Sequence, residues 1–352
     1  MKGVVLAGGS GTRLRPLTFS MAKQLVPVGN DPILFYGLRD MAAAGIEDIA
    51  IVISPETGGE VRKAVGDGSR FGIRPHFIVQ DKPLGLAHAL AMALPWADGD
   101  DVLMYLGDNL IKGGVADVVE DFKQHRPNAQ ILLTQVDDPS QFGVAELDAA
   151  GRVVRLVEKP SNPPSDLALV GVYLFDAKIQ TAVESIKPSA RGELEITDAI
   201  QFLIEAGLNV RQTQVKGWWK DTGQKADLLH ANELVLRDIE EHIEGELVDC
   251  TVRGKIRVGL GSRLVDCTVT GPAVIGEDVR LTRVTIGPNT AIGDGCRASD
   301  AAIEDSIIME DSEIHGWKVH NSLLGRSTVL HGSAPQGFVE LTLGERSEII
   351  GE

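Results

Sequence analysis

The sequence predicts an α/β protein in two parts: a Rossmann-like domain with a mostly parallel sheet, then a C-terminal left-handed hexapeptide β-helix. Two observations predict this fold. Apolar strand-like runs alternate with amphipathic helical stretches up to about residue 240, and an eight-residue stretch then recurs at an offset of 17 residues. We therefore expect a first domain at residues 1–240 and a second, with a C-terminal tail, at residues 241–352.

The elements of the first domain follow from the period of its apolar residues. Short apolar runs predict strands at 3–7, 49–53, 76–79 and 102–106, and helical patterns lie at 33–41 after an Asp31-Pro32 cap, at 60–65 and at 86–94. Further strands at 144–147, 153–157 and 169–175 suggest a mixed insertion beside the sheet. Helices are expected at 177–186, 197–206 and 225–240. Such alternation is typical of a parallel sheet covered on both faces.

The β-helix is predicted by internal repetition. The stretch 247–254 recurs almost unchanged at 264–271, a looser copy covers 281–287, and echoes follow at 307–308 and 323–325. Ile-Gly pairs near steps of six residues indicate stacked coils that bury their apolar side chains only against neighbouring coils. An antiparallel sandwich is the alternative, and the near-exact repeat argues against it. We expect the tail at 332–352 to cap the stack or to contact another subunit.

Composition and charge narrow the function classes. The chain has 352 residues and a formal net charge of −16. This acidity argues against nucleic-acid binding, which needs a basic surface, but a local cluster of cations can still bind a small anion. Three cysteines without metal-ligand spacing predict reduced thiols in a cytoplasmic protein. Neither a signal peptide nor a membrane span is expected.

A glycine-rich loop follows the first predicted strand. Leu6 and Ala7 lead into Gly8-Gly9-Ser10-Gly11, at the edge where open α/β sheets bind ligands. Glycines allow a phosphate to approach the backbone closely. The loop is neither a Walker A motif, since no Gly-Lys-Ser/Thr follows, nor a dinucleotide fingerprint, since Leu14 stands where a third glycine is needed. It predicts phosphate binding, with a ligand-free turn as the alternative.

Four charged residues complete the candidate site. Arg13 and Lys23 lie close to the loop in sequence, where cations would offset the charge on a leaving pyrophosphate. Asp108 follows the strand predicted at 102–106, and a carboxylate there could hold Mg²⁺, which phosphoryl and nucleotidyl transfer reactions nearly always need. Asp221 is the candidate for a second carboxylate, although spacing alone does not join it to Asp108. Solvated surface charges and an Asp-Asn turn are the alternatives.

Ten motifs carry a family resemblance. The chain resembles the long-form glucose-1-phosphate thymidylyltransferases of the nucleoside-diphosphate-sugar pyrophosphorylase superfamily. The matching motifs, in chain order, are LAGGSGTRLRPLT (6–18), AKQLVPV (22–28), GDGSRFG (66–72), PLGLAHA (83–89), LGDN (106–109), FGVAEL (142–147), VEKP (157–160), VGVYLF (170–175), PSARGELEITDAI (188–200) and GWWKDTG (217–223).

The resemblance implies a role for each matching residue. Implied catalytic residues are Arg13, Lys23, Asp108 and Asp221, of which Asp108 and Asp221 are also the metal ligands. Implied nucleotide-binding residues are Leu6, Gly8, Gly9, Gly11, Thr12, Arg13, Gln80, Gly85 and Asp108. Implied sugar-phosphate-binding residues are Asn109, Gly143, Glu158, Lys159, Val170, Gly171 and Arg191. Lys159 would face the phosphate and Glu158 the sugar hydroxyls, while the amide of Gln80 would pair with the pyrimidine edge.

The implied activity is the Mg²⁺-dependent formation of dTDP-glucose and pyrophosphate from dTTP and α-D-glucose 1-phosphate. UTP use is expected too, because one methyl group discriminates weakly. A sister enzyme with another sugar or cyclitol phosphate stays open, as does a noncatalytic regulator. An acyltransferase in the β-helix would need a base such as His315, His320 or His331. We expect a homo-oligomer with closed symmetry.

Overall fold

The computed structural model of this chain describes residues 1–9, 11–332 and 336–351. Its contacts divide the chain into two compact units. The first comprises Met1–Ser10 and Leu34–Asp221, and the second comprises Gly11–Ile33 and Thr222–Glu352. Ser10, in the glycine loop, and part of the predicted tail (333–335 and 352) lie outside the described residues.

Helices and strands alternate through the first 240 residues. The helices are α1 (Ile33–Ala43), α2 (Gly58–Val65), α3 (Leu86–Ala97), α4 (Ala116–His125), α5 (Ile179–Ser185), α6 (Ile196–Glu205) and α7 (Lys225–Arg237). The strands are β1 (Lys2–Ala7), β2 (Pro27–Val28), β3 (Asp31–Pro32), β4 (Asp48–Ile53), β5 (Arg74–Val79), β6 (Val102–Leu106), β7 (Asn109–Ile111), β8 (Ala129–Gln135), β9 (Gly143–Leu147), β10 (Val153–Glu158), β11 (Leu167–Phe175), β12 (Val210–Gln214) and β13 (Trp219–Asp221).

The first unit is built on a mixed sheet of nine strands. Its main path runs β10-β9-β11-β6-β1-β4-β5, and β8 pairs with β11 and β12. The strands β6, β1, β4 and β5 are parallel, as predicted, while β11 is antiparallel to β6. Buried Val4 and Val52 lie in one core cluster with Leu90 of α3 and Ile200 of α6. The Rossmann-like fold is therefore confirmed, with the mixed insertion on one side of the parallel strands.

Five elements of this unit were missing from the sequence-based prediction. They are β7, α4, β8, β12 and β13, which lie in the stretches 109–111, 116–135, 210–214 and 219–221. The strand β12 is polar and only half-buried at the sheet edge, so it lacks the apolar run that marks a buried strand. One prediction was imprecise: Asp31-Pro32 forms a short strand with β2, and α1 begins at Ile33.

The remaining strands stack into a β-helix with three faces. In chain order they are β14 (His242–Ile243), β15 (Glu246–Val248), β16 (Thr251–Arg253), β17 (Ile256–Val258), β18 (Arg263–Val265), β19 (Thr268–Thr270), β20 (Ala273–Ile275), β21 (Arg280–Thr282), β22 (Thr285–Ile286), β23 (Thr290–Ile292), β24 (Arg297–Ser299), β25 (Ala302–Glu304), β26 (Ile307–Ile308), β27 (Glu313–His315), β28 (Lys318–His320), β29 (Leu323–Leu324), β30 (Val329–Gly332), β31 (Thr342–Leu343) and β32 (Glu348–Gly351). We call the three parallel sheets the first face (β14-β17-β20-β23-β26-β29-β31), the second face (β15-β18-β21-β24-β27-β30-β32) and the third face (β16-β19-β22-β25-β28).

The repeat seen in the sequence is the coil of this β-helix. Leu247 pairs with Leu264, and Leu264 with Leu281, which is the predicted 17-residue offset. The coil length then varies: Ile314 follows Ala298 in the register after 16 residues, and Ile349 follows Leu330 after 19. The inward side chains form one buried core. The left-handed β-helix is thus confirmed, and the tail supplies its last coil through β31 and β32.

Residues 11–33 and α7 belong to the same unit as the β-helix. The Asn232 side chain on α7 accepts a hydrogen bond from the Gly29 N–H (2.9 Å) and donates to the Asn289 carbonyl (2.8 Å). Asn30 Nδ2 donates to the Ile292 carbonyl (2.7 Å) on the first face. These stretches were assigned to the first domain by sequence. The functional boundary at residue 240 stays a prediction, whereas the compact units separate elsewhere.

Among the described residues, no helix is both long enough and apolar enough to cross a membrane.

Candidate active site

The parallel strands of the first unit end at one sheet edge. Gly8 follows β1, Gln80 follows β5, and Asp108 follows β6 after one glycine. Because carboxyl ends of parallel strands meet at the same edge, these predicted site residues are brought to one side of the sheet. Leu6 lies lower in β1 with a buried side chain, and its carbonyl accepts a hydrogen bond from the Gly107 N–H (3.0 Å). Gly9 is exposed.

The Gln80 amide is held in a defined orientation. Its side chain is 8 % exposed, its Nε2 donates to the Gly85 carbonyl (3.4 Å), and the same atom lies 2.9 Å from His88 Nδ1. A Cβ on Gly8 would lie 3.5 Å from Gln80 Oε1. The structure therefore brings together three residues predicted to bind the nucleotide, with His88 as a contact that the sequence did not suggest.

Gly85 occupies a position that only glycine fits. Its φ is +108°, and a Cβ would collide with the Leu194 carbonyl oxygen. The backbone there is pinned from both sides, since the Leu194 N–H donates to the Leu84 carbonyl (2.7 Å) and its carbonyl accepts from the Ala87 N–H (3.0 Å). This glycine lets the loop after β5 approach the segment before α6.

A short antiparallel ribbon brings together the chain segments that carry the two predicted metal carboxylates. Strands β7 and β13 pair so that Asp221 stands opposite Asn109, directly after Asp108. Opposite residues in such a pair have Cα atoms about 4.5–5.5 Å apart. Asp108 and Asp221 are both half-buried. The fold thus brings two predicted metal-ligand residues near each other although they lie more than a hundred residues apart in the chain.

Asn109 connects this ribbon to the main sheet. Its side chain is 2 % exposed, and its Nδ2 donates to Asp108 Oδ1 (2.9 Å). Its Oδ1 accepts from the Gly171 N–H (3.2 Å) and from Trp219 Nε1 (2.6 Å). The amide therefore positions the Asp108 carboxylate. The sugar-binding role implied for Asn109 stays a prediction, and Trp219 is a site residue to which the sequence reasoning gave no role.

A bulge in β11 places Val170 and Gly171. The register of β11 against β8 shifts between Leu169 and Tyr173, so the residues between them are not paired with β8. A Cβ on Gly171 would lie 2.6 Å from Asn109 Oδ1. Glycine is therefore required for the Asn109 side chain to reach this backbone. Val170 is fully buried.

Glu158 is the centre of a second polar cluster. It stands opposite Gly143 in the β9–β10 pair, and its Oε2 accepts from the Thr197 hydroxyl (3.2 Å). Its Oε1 lies 3.3 Å from Arg191 Nη1 and 3.8 Å from Lys159 Nζ. Four predicted sugar-phosphate residues are thus neighbours in the first unit. Burial, and then the charge of nearby Glu195, raise the pKa of Glu158 above its ordinary value.

Arg191 bridges three carboxylates. Its guanidinium lies 3.2 Å from Glu193 and 3.5 Å from Glu195, in addition to Glu158. The Glu195 side chain is 3 % exposed and also accepts from the Ser189 hydroxyl (2.8 Å). Sequence reasoning gave Glu195 no role, although it lies within a quoted motif. In this structure Arg191 supports the carboxylate cluster around Glu158.

Four predicted phosphate-site residues belong to the second unit. Gly11 has a φ of +59°, and its carbonyl accepts from the Thr18 hydroxyl (2.7 Å). Thr12 and Arg13 are exposed in the 3₁₀ turn Thr12–Leu14, and Lys23 is half-buried in the 3₁₀ turn Lys23–Leu25. Their predicted roles stay predictions.

The donor set at Asp108 and Asp221 fits Mg²⁺. Magnesium is commonly held by one or two carboxylates, with substrate phosphates and waters supplying the other oxygens. Across residues 1–9, 11–332 and 336–351, the chain has no group of three or more His, Cys, Asp or Glu side chains that could hold a metal ion. A pair of carboxylates therefore suits a metal shared with substrate better than a closed structural metal site.

The fold and this site define the class of the protein. The sequence matches the family model described as "Nucleotidyl transferase" over residues 2–238. The chain belongs to that family.

Two sequence relatives and one solved structure are similar to this chain. The chain is 50 % identical to a glucose-1-phosphate thymidylyltransferase of Streptomyces antibioticus over 99 % of each chain, and 49 % identical to one of Streptomyces griseus over 99 % of this chain and 98 % of that one. Its fold is similar to a solved structure from Bacillus anthracis assigned as a glucose-1-phosphate thymidylyltransferase, in complex with sucrose. The TM-score is 0.64 and the identity 38 %, covering 69 % of this chain and 97 % of that chain.

The hydrogen bonds that the Asn109 side chain accepts should contribute measurably to the free energy of unfolding. Asn109→Ala leaves the Gly171 and Trp219 donors without an acceptor and should destabilise the protein by about 2–4 kcal/mol, whereas Trp219→Phe removes one donor and should cost about 1 kcal/mol. Urea denaturation followed by far-ultraviolet circular dichroism measures both. Trp218→Phe is the matched control, and an effect as large as that of Trp219→Phe would contradict the assignment.

Proposed function

We propose that the protein is a glucose-1-phosphate thymidylyltransferase, which forms dTDP-glucose and pyrophosphate from dTTP and α-D-glucose 1-phosphate. The observation that carries the proposal is the pairing of Asp221 with Asn109, which brings the chain segments of Asp108 and Asp221 together in a chain of the nucleotidyl transferase family. Full-length relatives bearing that name, at 50 % and 49 % identity, support the choice of substrates.

The proposed reaction is a single in-line displacement. A phosphate oxygen of glucose 1-phosphate attacks the α-phosphorus of dTTP and forms a new P–O bond. The bond from that phosphorus to the bridging β-phosphate oxygen breaks, and its electron pair leaves with pyrophosphate. The attacking group is already an anion, so the protein needs no general base, and its task is positioning and charge stabilisation.

Asp108 and Asp221 would hold Mg²⁺. Bound there, the ion would neutralise charge on the phosphate oxygens of the substrates. The chain's own contribution is the orientation of the two carboxylates. Asn109 holds Asp108 through a 2.9 Å hydrogen bond, and the β7–β13 pairing places Asp221 opposite Asn109.

The other roles follow from the polar groups in the first unit. Glu158 would accept hydrogen bonds from sugar hydroxyls, and Lys159 would face the sugar phosphate. Gln80 would read the pyrimidine through an amide that both donates and accepts. In the second unit, Arg13 and Lys23 keep the phosphate-binding roles implied by the motifs. A cytoplasmic homo-oligomer completes the proposal.

The rival acyltransferase would use a histidine of the β-helix. His315 Nδ1 lies 2.8 Å from the Ser299 hydroxyl, His331 Nε2 lies 3.3 Å from Glu348, and the His320 ring contacts Phe338. Each histidine has an ordinary neighbour on its own coil or the next. We therefore favour a structural role for all three. A sister sugar phosphate stays open as the alternative substrate.

Asp108→Ala should reduce turnover by orders of magnitude, because one of the two proposed metal ligands is lost. Pyrophosphate release from dTTP and glucose 1-phosphate measures it. Asp67→Asn, on an exposed carboxylate of the GDGSRFG stretch, is the control and should retain normal turnover. Near-normal turnover of Asp108→Ala, with its fold intact, would remove Asp108 from the site.

Nucleotide choice tests the base-reading role of Gln80. We expect both dTTP and UTP to be used. Their kcat/KM values should differ by roughly 200-fold at most, because the two bases differ by one methyl group. ATP and GTP should be poor substrates. Initial rates with each triphosphate and glucose 1-phosphate measure this preference, and the same assay with other sugar 1-phosphates tests the sister-enzyme alternative. A preference for a purine would overturn the assignment.

The raised pKa of Glu158 predicts a pH effect on sugar binding. Since protonation begins at a higher pH than for an ordinary glutamate, acidification should weaken hydroxyl binding early and raise the KM for glucose 1-phosphate before that for dTTP. Steady-state kinetics between about pH 8 and pH 5 measure both constants. Glu158→Gln should raise the sugar KM and flatten its pH profile; an unchanged profile would show that another group titrates.

A further inference from the structure

The side-chain nitrogen of Gln80 uses both of its hydrogens within the protein. Gln80 Nε2 donates to the Gly85 carbonyl (3.4 Å) and lies 2.9 Å from His88 Nδ1. The Gln80 side chain has no other hydrogen-bond partner in the part of the chain that the structure describes. Because an amide nitrogen carries two hydrogens and accepts none, this nitrogen has no hydrogen left for a ligand.

The Gly85 carbonyl determines the orientation of this amide. A carbonyl oxygen can only accept, so the amide atom that faces it is the nitrogen and not the oxygen. The same carbonyl accepts a hydrogen bond from the Ala89 N–H (3.2 Å) in the first turn of α3, which holds it in place. Because the Gln80 nitrogen can only donate, His88 Nδ1 is the acceptor, and the ring proton of His88 lies on Nε2.

His88 belongs to an anchored part of the first unit. It is half-buried in the first turn of α3, three residues after Gly85. The start of this helix is held by the Ala87 N–H, which donates to the Leu194 carbonyl (3.0 Å). The hydrogen bond from Gln80 to Gly85 is long at 3.4 Å, whereas the contact with His88 has an ordinary length of 2.9 Å. The histidine is therefore the stronger of the two restraints on the amide.

The amide oxygen of Gln80 lies on the other side, beside the glycine loop. A Cβ on Gly8, the first residue after β1, would be 3.5 Å from Gln80 Oε1. The backbone at this place is also fixed, since the Gln80 N–H donates to the Ile53 carbonyl (2.8 Å) at the end of β4. At the ligand-binding edge of the sheet the amide therefore presents an acceptor and no donor.

We propose that His88 is a positioning residue for base selection, which holds the Gln80 amide so that only its oxygen is offered to the nucleobase. This inference rests on the proposed function, because that function assigns Gln80 to the base. An acceptor at this place suits a pyrimidine with an N–H at N3, as in thymine and uracil. Cytosine carries a lone pair at N3, so two acceptors would face each other and cytosine should bind poorly.

Equilibrium binding of two nucleoside diphosphates measures this selection without turnover. The nucleotides dUDP and dCDP differ only at N3 and at the group on C4, so the ratio of their Kd values reports how the base edge is read. Isothermal titration calorimetry of the full chain should give a Kd for dCDP that is at least about tenfold above the Kd for dUDP. We call this quotient the base ratio.

Substitutions of His88 test the restraint on the amide. His88→Phe and His88→Leu remove the acceptor and should reduce the base ratio by about two- to tenfold, because the amide can then turn its nitrogen toward the base. His88→Asn should retain the ratio, since its side-chain oxygen can accept near the place of Nδ1. The matched control is His76→Phe, which keeps a ring beside Trp96 and should leave the ratio unchanged. Thermal melts check that each variant is folded.

A double-mutant cycle with Gln80→Ala shows whether His88 acts through the amide. Gln80→Ala alone should lower the base ratio, and adding His88→Phe to it should change the ratio no further. A base ratio near one in the wild-type chain would overturn the proposal. So would an unchanged ratio in both His88→Phe and His88→Leu, an equal effect of His88→Phe with and without Gln80, or a loss in His88→Asn as large as that in His88→Phe.

These outcomes are distinct from those that test the proposed function. Pyrophosphate release from dTTP and glucose 1-phosphate measures the activity itself. Normal release together with a base ratio that does not respond to His88 would contradict only the positioning role, whereas a chain that binds dUDP but releases no pyrophosphate would contradict only the proposed reaction. If neither dUDP nor dCDP binds the wild-type chain, Gln80 does not read a nucleobase and the positioning role fails as well.

Discussion

The candidate active site depends on the buried amide of Asn109. Three separate pieces of chain meet there: the carboxylate of Asp108, the backbone of Gly171 in the β11 bulge, and the indole of Trp219 on β13. A buried amide that satisfies two donors and one acceptor is costly to break, because each orphaned group keeps its desolvation penalty. Its hydrogen bonds therefore join the short ribbon to the main sheet and fix the direction of one carboxylate.

A second constraint is the repeated hydrogen-bond ladder of the β-helix. Each coil pairs with the coil before and after it, and its inward side chains are buried only because neighbours cover them. Coil length changes from 17 residues at Leu264–Leu281 to 16 at Ala298–Ile314 without interrupting the register. The corners absorb the difference, while the three faces keep their strands aligned.

Local patterns in the sequence were sufficient to predict most of the strands and helices of the fold. The apolar run before Gly8 is β1, and the copies that begin at Leu247 and Leu264 are successive rungs. The edge strand β12 was missed because its polar side chains give no apolar run. For the site, Gly8 and Asp108 were informative because each follows a strand or its turn, whereas Gln80 was indicated only by the family resemblance. That the segments of Asp108 and Asp221 lie near each other could not be read from their spacing, since it depends on the pairing of the distant strands β7 and β13. Nor could the bridging role of Asn109 be read, since it requires the bulge at Gly171.

The family resemblance continues to residue 238, yet the second unit already includes residues 11–33 and everything from Thr222 onward. The β-helix therefore shares its compact unit with residues from both ends of the family match. Asn30 and Asn232 donate to the carbonyls of Ile292 and Asn289, so residues 11–33 and α7 are held to the coils by hydrogen bonds. Chimaeras that exchange such extensions between relatives would have to carry residues 11–33 and α7 along with the coils. The second compact unit is thus discontinuous in sequence although it is continuous in space.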